Sequence, residues 1–155
     1  PPELPDTFGR CGKLRRLSSL DLSGSYWLER LPERLTSLPL LEALKLNNCL
    51  KLECLPESTP SMPELVDIQL NNCQALAELP KGLAKMTKLK LLDLEGCGQL
   101  RSLPDGVRTG GVFPNLEFLD LQRCEQLVGL PDWVGQCERR GAAVQRPGHL
   151  AASGS

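Results

Sequence analysis

Leu65-Val66-Asp67-Ile68-Gln69-Leu70-Asn71-Asn72-Cys73-Gln74-Ala75-Leu76-Ala77-Glu78-Leu79-Pro80 is the stretch that decides the fold. Its apolar residues fall at positions one, four, six, nine, twelve and fifteen, and a proline closes it. The phrase occurs five times, starting at Leu17, Leu41, Leu65, Leu89 and Leu116. The first four starts are 24 residues apart, and the last step is 27. A fixed period of this size is the mark of a solenoid, in which each repeat covers its neighbours and a long surface is left for binding.

Positions three to seven alternate polar and apolar, as a short half-buried strand does. Every copy runs in the same direction, so stacked copies must pair in parallel. Five strands make a sheet roughly 20–25 Å wide. Leu-Pro at the end of the phrase fixes φ and removes one N–H. About ten residues then lead back to the next start. That is room for an extended path or one helical turn. Lys81-Gly82-Leu83-Ala84-Lys85-Met86 is the best candidate for such a turn, whereas Pro60 argues against helix in its own copy. No repeat stands alone, because ordering its residues costs more than its own leucines regain.

Composition agrees. Of 155 residues, 41% are hydrophobic but only 4% aromatic, so leucine has to fill the core of a single domain. The formal net charge of −1 offers no global attraction to nucleic acid or anionic lipid, and there is no apolar run long enough to span a membrane. The seven cysteines follow the repeat rather than a disulfide framework. Cys49, Cys73, Cys97 and Cys124 hold position nine, where the chain turns out of the strand, and Ser25 holds it in the first copy. Cys11 and Cys137 sit six residues after a Leu-Pro proline, where other copies have Leu38, Met62 and Met86. Cys54 falls on the surface. Thiols placed this way act as small buried hydrophobes with a weak donor, and they point to a reducing, intracellular compartment.

The regular part is expected to cover 1–137, with a partial repeat over 1–16 before the five full ones. The opening Pro-Pro-Glu-Leu-Pro reads as a cut inside a longer array. The stretch 105–111 should bulge on the return side. From Glu138 the pattern stops, and 138–155 reads as a disordered tail. That leaves a frayed or missing cap, with Trp133 placed to shield the open end.

The phrase Leu-x-x-Leu-x-Leu-x-x-Cys-x-x-Leu-x-x-Leu-Pro resembles the plant-type leucine-rich repeat found in nucleotide-binding leucine-rich-repeat disease-resistance receptors. The resemblance covers about residues 4–137 and is carried most closely by Leu65 to Cys73 and Leu76 to Pro80. It implies an α/β, right-handed leucine-rich-repeat solenoid. Short parallel strands line the concave face, and irregular, 3-10 or short helical segments return. It further implies the ligand-sensing part of an intracellular, cytoplasmic immune-type receptor. Two other roles fit the same architecture. One is a scaffold or substrate-selecting arm of a ubiquitin ligase or signalling complex. The other is an accessory domain of an enzyme whose catalytic domain lies elsewhere.

Odd positions of each strand should face a partner. Position three reads Ser19, Ala43, Asp67, Leu91, Phe118; position five reads Asp21, Lys45, Gln69, Asp93, Asp120; position seven reads Ser23, Asn47, Asn71, Glu95, Gln122. The flanking positions add Glu42, Lys90, Glu117 and Arg123. Seven acids (Asp21, Glu42, Asp67, Asp93, Glu95, Glu117, Asp120) against three bases (Lys45, Lys90, Arg123) leave this face at −4. Such a face repels phosphate backbones and attracts a protein partner with a basic surface. The candidate contact residues are Asp21, Lys45, Asp67, Gln69, Leu91, Asp93, Glu95, Phe118, Asp120 and Gln122. Leu91 and Phe118 form an exposed apolar pair ringed by charge. Tyr26 and Trp27 are a second candidate patch or a cover for the N-terminal end. Asn47 and Asn71 read as a solvated polar ladder.

No catalytic constellation is apparent, and no cofactor is expected. The single histidine, His149, lies in the tail, and the repeat cysteines lack Cys-x-x-Cys pairing for zinc. Gly106 and Gly110-Gly111 lack the lysine and strand context of a phosphate loop.

Overall fold

The computed structural model describes residues 3–5, 7, 8, 10, 12–105 and 112–150. The strands expected from the alternation form where the phrase places them: β1 Ser19–Asp21, β2 Ala43–Lys45, β3 Asp67–Gln69, β4 Leu91–Asp93 and β5 Phe118–Asp120. A sixth, β6 Ala143–Gln145, continues the sheet. All six pair in parallel and in chain order. Successive crossovers between neighbouring parallel strands make the leucine-rich-repeat solenoid.

Register holds position against position. Leu20, Leu44, Ile68, Leu92, Leu119 and Val144 stand side by side at position four. The pairing extends beyond the strands. The Leu46 N–H donates to Gln69 O at 2.8 Å and Asn48 N–H to Asn71 O at 2.7 Å, with the same contacts one coil on from Leu70 to Asp93 O and from Asn72 to Glu95 O. A second set of inter-coil bonds runs along the return side, from Glu53 N–H to Glu29 O at 3.0 Å and from Ala77 N–H to Glu53 O at 3.3 Å. Buried leucines of successive coils fill the space between, with Leu44, Leu46, Leu70, Leu92 and Leu94 fully enclosed.

Position nine shows what cysteine contributes. Each thiol donates to the position-six carbonyl of the coil before: Cys49 Sγ to Leu22 O (3.3 Å), Cys73 to Leu46 O (3.1 Å), Cys97 to Leu70 O (3.2 Å) and Cys124 to Leu94 O (3.0 Å). The turn out of the strand frees that carbonyl from the ladder, and the thiol serves it without needing the room of an amide. Burial pushes the Cys73 and Cys124 thiols up to about 12, and Cys97 higher still.

The return path is a chain of tight turns. At four of the phrase ends the proline carbonyl accepts from the residue three on: Leu35 to Pro32, Thr59 to Pro56, Leu83 to Pro80, Val134 to Pro131. Three such turns extend into 3-10 segments, Glu33–Ser37, Thr59–Ser61 and Lys81–Lys85. The last is the turn expected at Lys81. The second corrects the reading of Pro60: at the start of a 3-10 turn its missing N–H removes no needed bond, and Thr59 Oγ1 donates to Pro56 O. At the N-terminal end, Phe8 N–H donates to Pro5 O and Glu3 bridges Arg30 in parallel, in the manner of a preceding coil. Cys11 and residues 106–111 of the expected bulge lie outside the described residues.

The largest departure from expectation lies after Cys137. The segment read as a disordered tail is ordered through Leu150, while 151–155 lie outside the described residues. Helix α1, Asp132–Arg139, buries Trp133, Val134 and Cys137. Gly141 ends it at φ +96°, a left-handed position that glycine adopts without strain. The chain then enters β6, which places Val144 beside Leu119. Arg146 pairs with Glu138 at 2.6 Å, and His149 Nε2 lies 2.8 Å from Leu127 O. The end at β5, expected to be open, is therefore covered by a sixth coil. Trp133 is not its shield but part of the core, with its Nε1–H on Pro104 O at 2.9 Å and its ring edge-on to Phe113 at 5.0 Å. Cys54, expected on the surface, is half-buried.

Two measurements check this account. A thiol reagent applied to the native protein should label Cys54 ahead of Cys73, Cys97 and Cys124, which should react only as urea unfolds the chain. Mass spectrometry after digestion reads the order. Val144→Asp places a charge against Leu119 and should lower unfolding free energy by about 1–3 kcal/mol, seen as a shifted urea midpoint.

Candidate functional site

The expected face exists as three side-chain rows on the solvent side of the sheet. Position three now runs Ser19, Ala43, Asp67, Leu91, Phe118, Ala143, and position five Asp21, Lys45, Gln69, Asp93, Asp120, Gln145. Asp67, Gln69, Leu91, Asp93, Glu95 and Phe118 are half-buried by their neighbours. Asp120 is only 9% exposed, while Asp21 and Gln122 are open to solvent.

The two ends of the sheet differ in charge. On the N-terminal side, Lys45 stands between Asp21 and Gln69. The Asp21 carboxyl is held below its ordinary value, first by the Ser23 hydroxyl and then by the Ser23 backbone N–H, which donates to Oδ1 at 2.9 Å, with Lys45 adding attraction. The C-terminal side is acidic. Ligand oxygens of Asp93, Glu95 and Asp120 all lie within 4.8 Å of one another. Burial is the main reason that Asp93 and Asp120 are raised; for Asp93, repulsion from Asp120 and Glu95 adds to it. Glu95 is the neutralised member, with Arg123 Nη2 at 2.8 Å from one oxygen and Asn71 Nδ2 at 3.1 Å from the other.

Position seven carries the polar ladder. Ser23 Oγ accepts from Asn47 N–H, Asn47 Oδ1 from Asn71 N–H at 3.0 Å, and Asn71 leads on to Glu95. Asn47 and Asn71 are thereby occupied within the protein.

Position eight is a feature that the apolar pattern does not announce. Gly24, Asn48, Asn72, Gly96 and Arg123 have φ of +80°, +62°, +60°, +74° and +57°. Each is the third residue of a turn closed from position nine to position six, such as Cys73 N–H to Leu70 O at 3.1 Å. Glycine and asparagine are the residues that accept this conformation, so their recurrence is the readable signal. At Gly96 a Cβ would also collide with Asn72 Oδ1. Arg123 holds the position against its own preference, and its guanidinium reaches both Glu95 and Asn72.

Tyr26 and Trp27 are 67% and 39% exposed, at the edge of the first coil and away from these rows. His149 is not near the acids; it is tied to Leu127. Among the described residues no helix is long and apolar enough to cross a membrane.

The architecture defines a leucine-rich-repeat solenoid with an in-register, acid-rich sheet face. Among solved structures it is similar to the leucine-rich repeat domain of the type III effector XopL, with 21% identity over 96% of this chain and 74% of that one and a TM-score of 0.50. That likeness concerns the fold. No protein-family model and no curated protein matches the chain.

The raised carboxyls give a pH test. A carboxyl raised by folding holds its proton more tightly in the folded than in the unfolded chain. Its charge therefore weakens the fold increasingly as pH rises through the window between the ordinary and the raised value. Asp93→Asn keeps an acceptor for Glu95 N–H, which now donates to Asp93 Oδ1 at 3.0 Å. The variant should melt higher than the wild type at pH 7, and the gain should fade as pH drops to about 4, followed by circular dichroism.

Proposed function

We propose that this chain is a non-enzymatic protein-recognition module that captures a partner with a basic surface on its concave sheet face. The observation that carries the reading is the alignment of Leu91 with Phe118 and of Asp93 with Asp120 on adjacent strands. An apolar pair set among carboxylates combines area to desolvate with charge to orient an incoming protein. A rigid sheet presents both in fixed geometry. The face carries negative charge in excess, so phosphate backbones and anionic lipid are poor candidates for it.

The larger setting that fits best is the ligand-sensing part of an intracellular immune-type receptor. The plant-type phrase with cysteine at position nine and Leu-Pro at its end supports this setting. Buried, repeat-locked thiols suit a reducing compartment. A nucleotide-binding domain in the flanking sequence of the gene would support the receptor setting, and a ligase or catalytic domain there would replace it.

Phe118→Asp tests the face. It should abolish partner capture from an extract of the source tissue while shifting the melting temperature by only a few degrees. Undiminished capture would remove the concave face from the interaction.

A further inference from the structure

Leu91 and Phe118 lie side by side, and two residues along, on the same face, Asp93 and Asp120 do the same. Each of these aspartates spends Oδ1 on a backbone N–H, Asp93 on Glu95 at 3.0 Å and Asp120 on Gln122 at 2.9 Å. Among the described residues the carboxylates in ion pairs are Glu53, Glu64, Glu95, Glu117 and Glu138. The two aspartates of the centre are not among them. Next to Leu91 in register is Asp67, whose Oδ1 is sealed from solvent with no hydrogen-bond donor. A buried acceptor without a donor is costly. The excess charge is local, because at β1 and β2 Lys45 already offsets Asp21.

We infer that the β4–β5 part of the concave face takes a lysine or arginine side chain from an extended basic segment of a partner protein, its aliphatic stem on Leu91 and Phe118 and its charged head on Asp93 and Asp120. This rests on the concave-face reading above and names the chemistry that the face selects. Long basic side chains bury their stems on apolar surface while the head stays with polar groups. Neighbouring parallel strands are about 4.8 Å apart, so one head group reaches both carboxylates, and charge-assisted bonds of this kind are short and strong. A metal ion fits less well, because it would need the third carboxylate, Glu95, which Arg123 already bonds at 2.8 Å.

The test uses labelled hexapeptides of alternating leucine and arginine, leucine and glutamate, and glycine and arginine, with fluorescence anisotropy on the full chain in physiological salt. The leucine–arginine peptide should bind, the leucine–glutamate peptide should not, and the glycine–arginine peptide, which keeps both the arginine stems and heads, should bind more tightly than the leucine–glutamate peptide. The double variant Asp93→Asn with Asp120→Asn should lose at least about tenfold in affinity for the first peptide. Glu57→Gln with Glu78→Gln removes the same charge from exposed positions off this face, and should stay within about twofold of wild type. Melting curves confirm that both variants fold. Equal loss in the two double variants would reduce the effect to net charge and overturn the inference, as would absence of binding by the leucine–arginine peptide. If that peptide fails to bind while Phe118→Asp still abolishes partner capture, the cationic anchor falls and the concave-face reading stands. If Phe118→Asp captures normally, the wider reading falls as well.

Discussion

The backbone of each strand finds its hydrogen-bond partners in the neighbouring coils. That constraint governs the rest of the molecule. A strand of three residues has no stability of its own, and here its N–H and C=O groups are answered only because the same position recurs one coil away. The thiol ladder belongs to the same arrangement: each cysteine serves a carbonyl that the sheet has just released. Inter-coil bonds on the return side hold the opposite wall. Leucines enclosed between those two walls then supply the apolar burial.

Much of this was readable from the chain. Strand positions, parallel pairing, the buried cysteines and the turn at Lys81 all follow from one spacing. What escaped reading did so for identifiable reasons. Ala143-Val144-Gln145 carries a single strong apolar residue, too little for alternation to register, and it is a strand because β5 lies beside it. Its approach was signalled more faintly, by Trp133, Val134 and Cys137 at helical spacing and by Gly141 as a stop. Pro60 misled because the rule against proline concerns helix interiors, and a 3-10 turn of three residues has none. The left-handed turn at position eight was visible only in the choice of glycine or asparagine, and Arg123 broke even that rule.

The face itself was legible as rows but not as a balance of charges. Spacing places Asp93 beside Asp120 and Lys45 beside Asp21. It does not tell which carboxylates find cations. Arg123 neutralises Glu95 because the turn at position eight aims a long side chain back along the coils. Asn71 and Asn47 pass hydrogen bonds down the ladder and so are taken out of reach of a partner. What remains without an ion pair or a ladder bond is a narrow, mostly half-buried strip on β4 and β5, apolar at one row and anionic at the next.

The step of 24 residues has a bearing on how such an array is altered over generations. An in-frame duplication of one whole unit would slot between existing coils with every seam preserved, widening the ribbon by one strand. Loss or gain of one or two residues inside the phrase would instead throw every later leucine off its mate. Inside the phrase lengthening is cheap only in complete steps, whereas the 27-residue step, longer on the return side, leaves Leu92 still paired with Leu119.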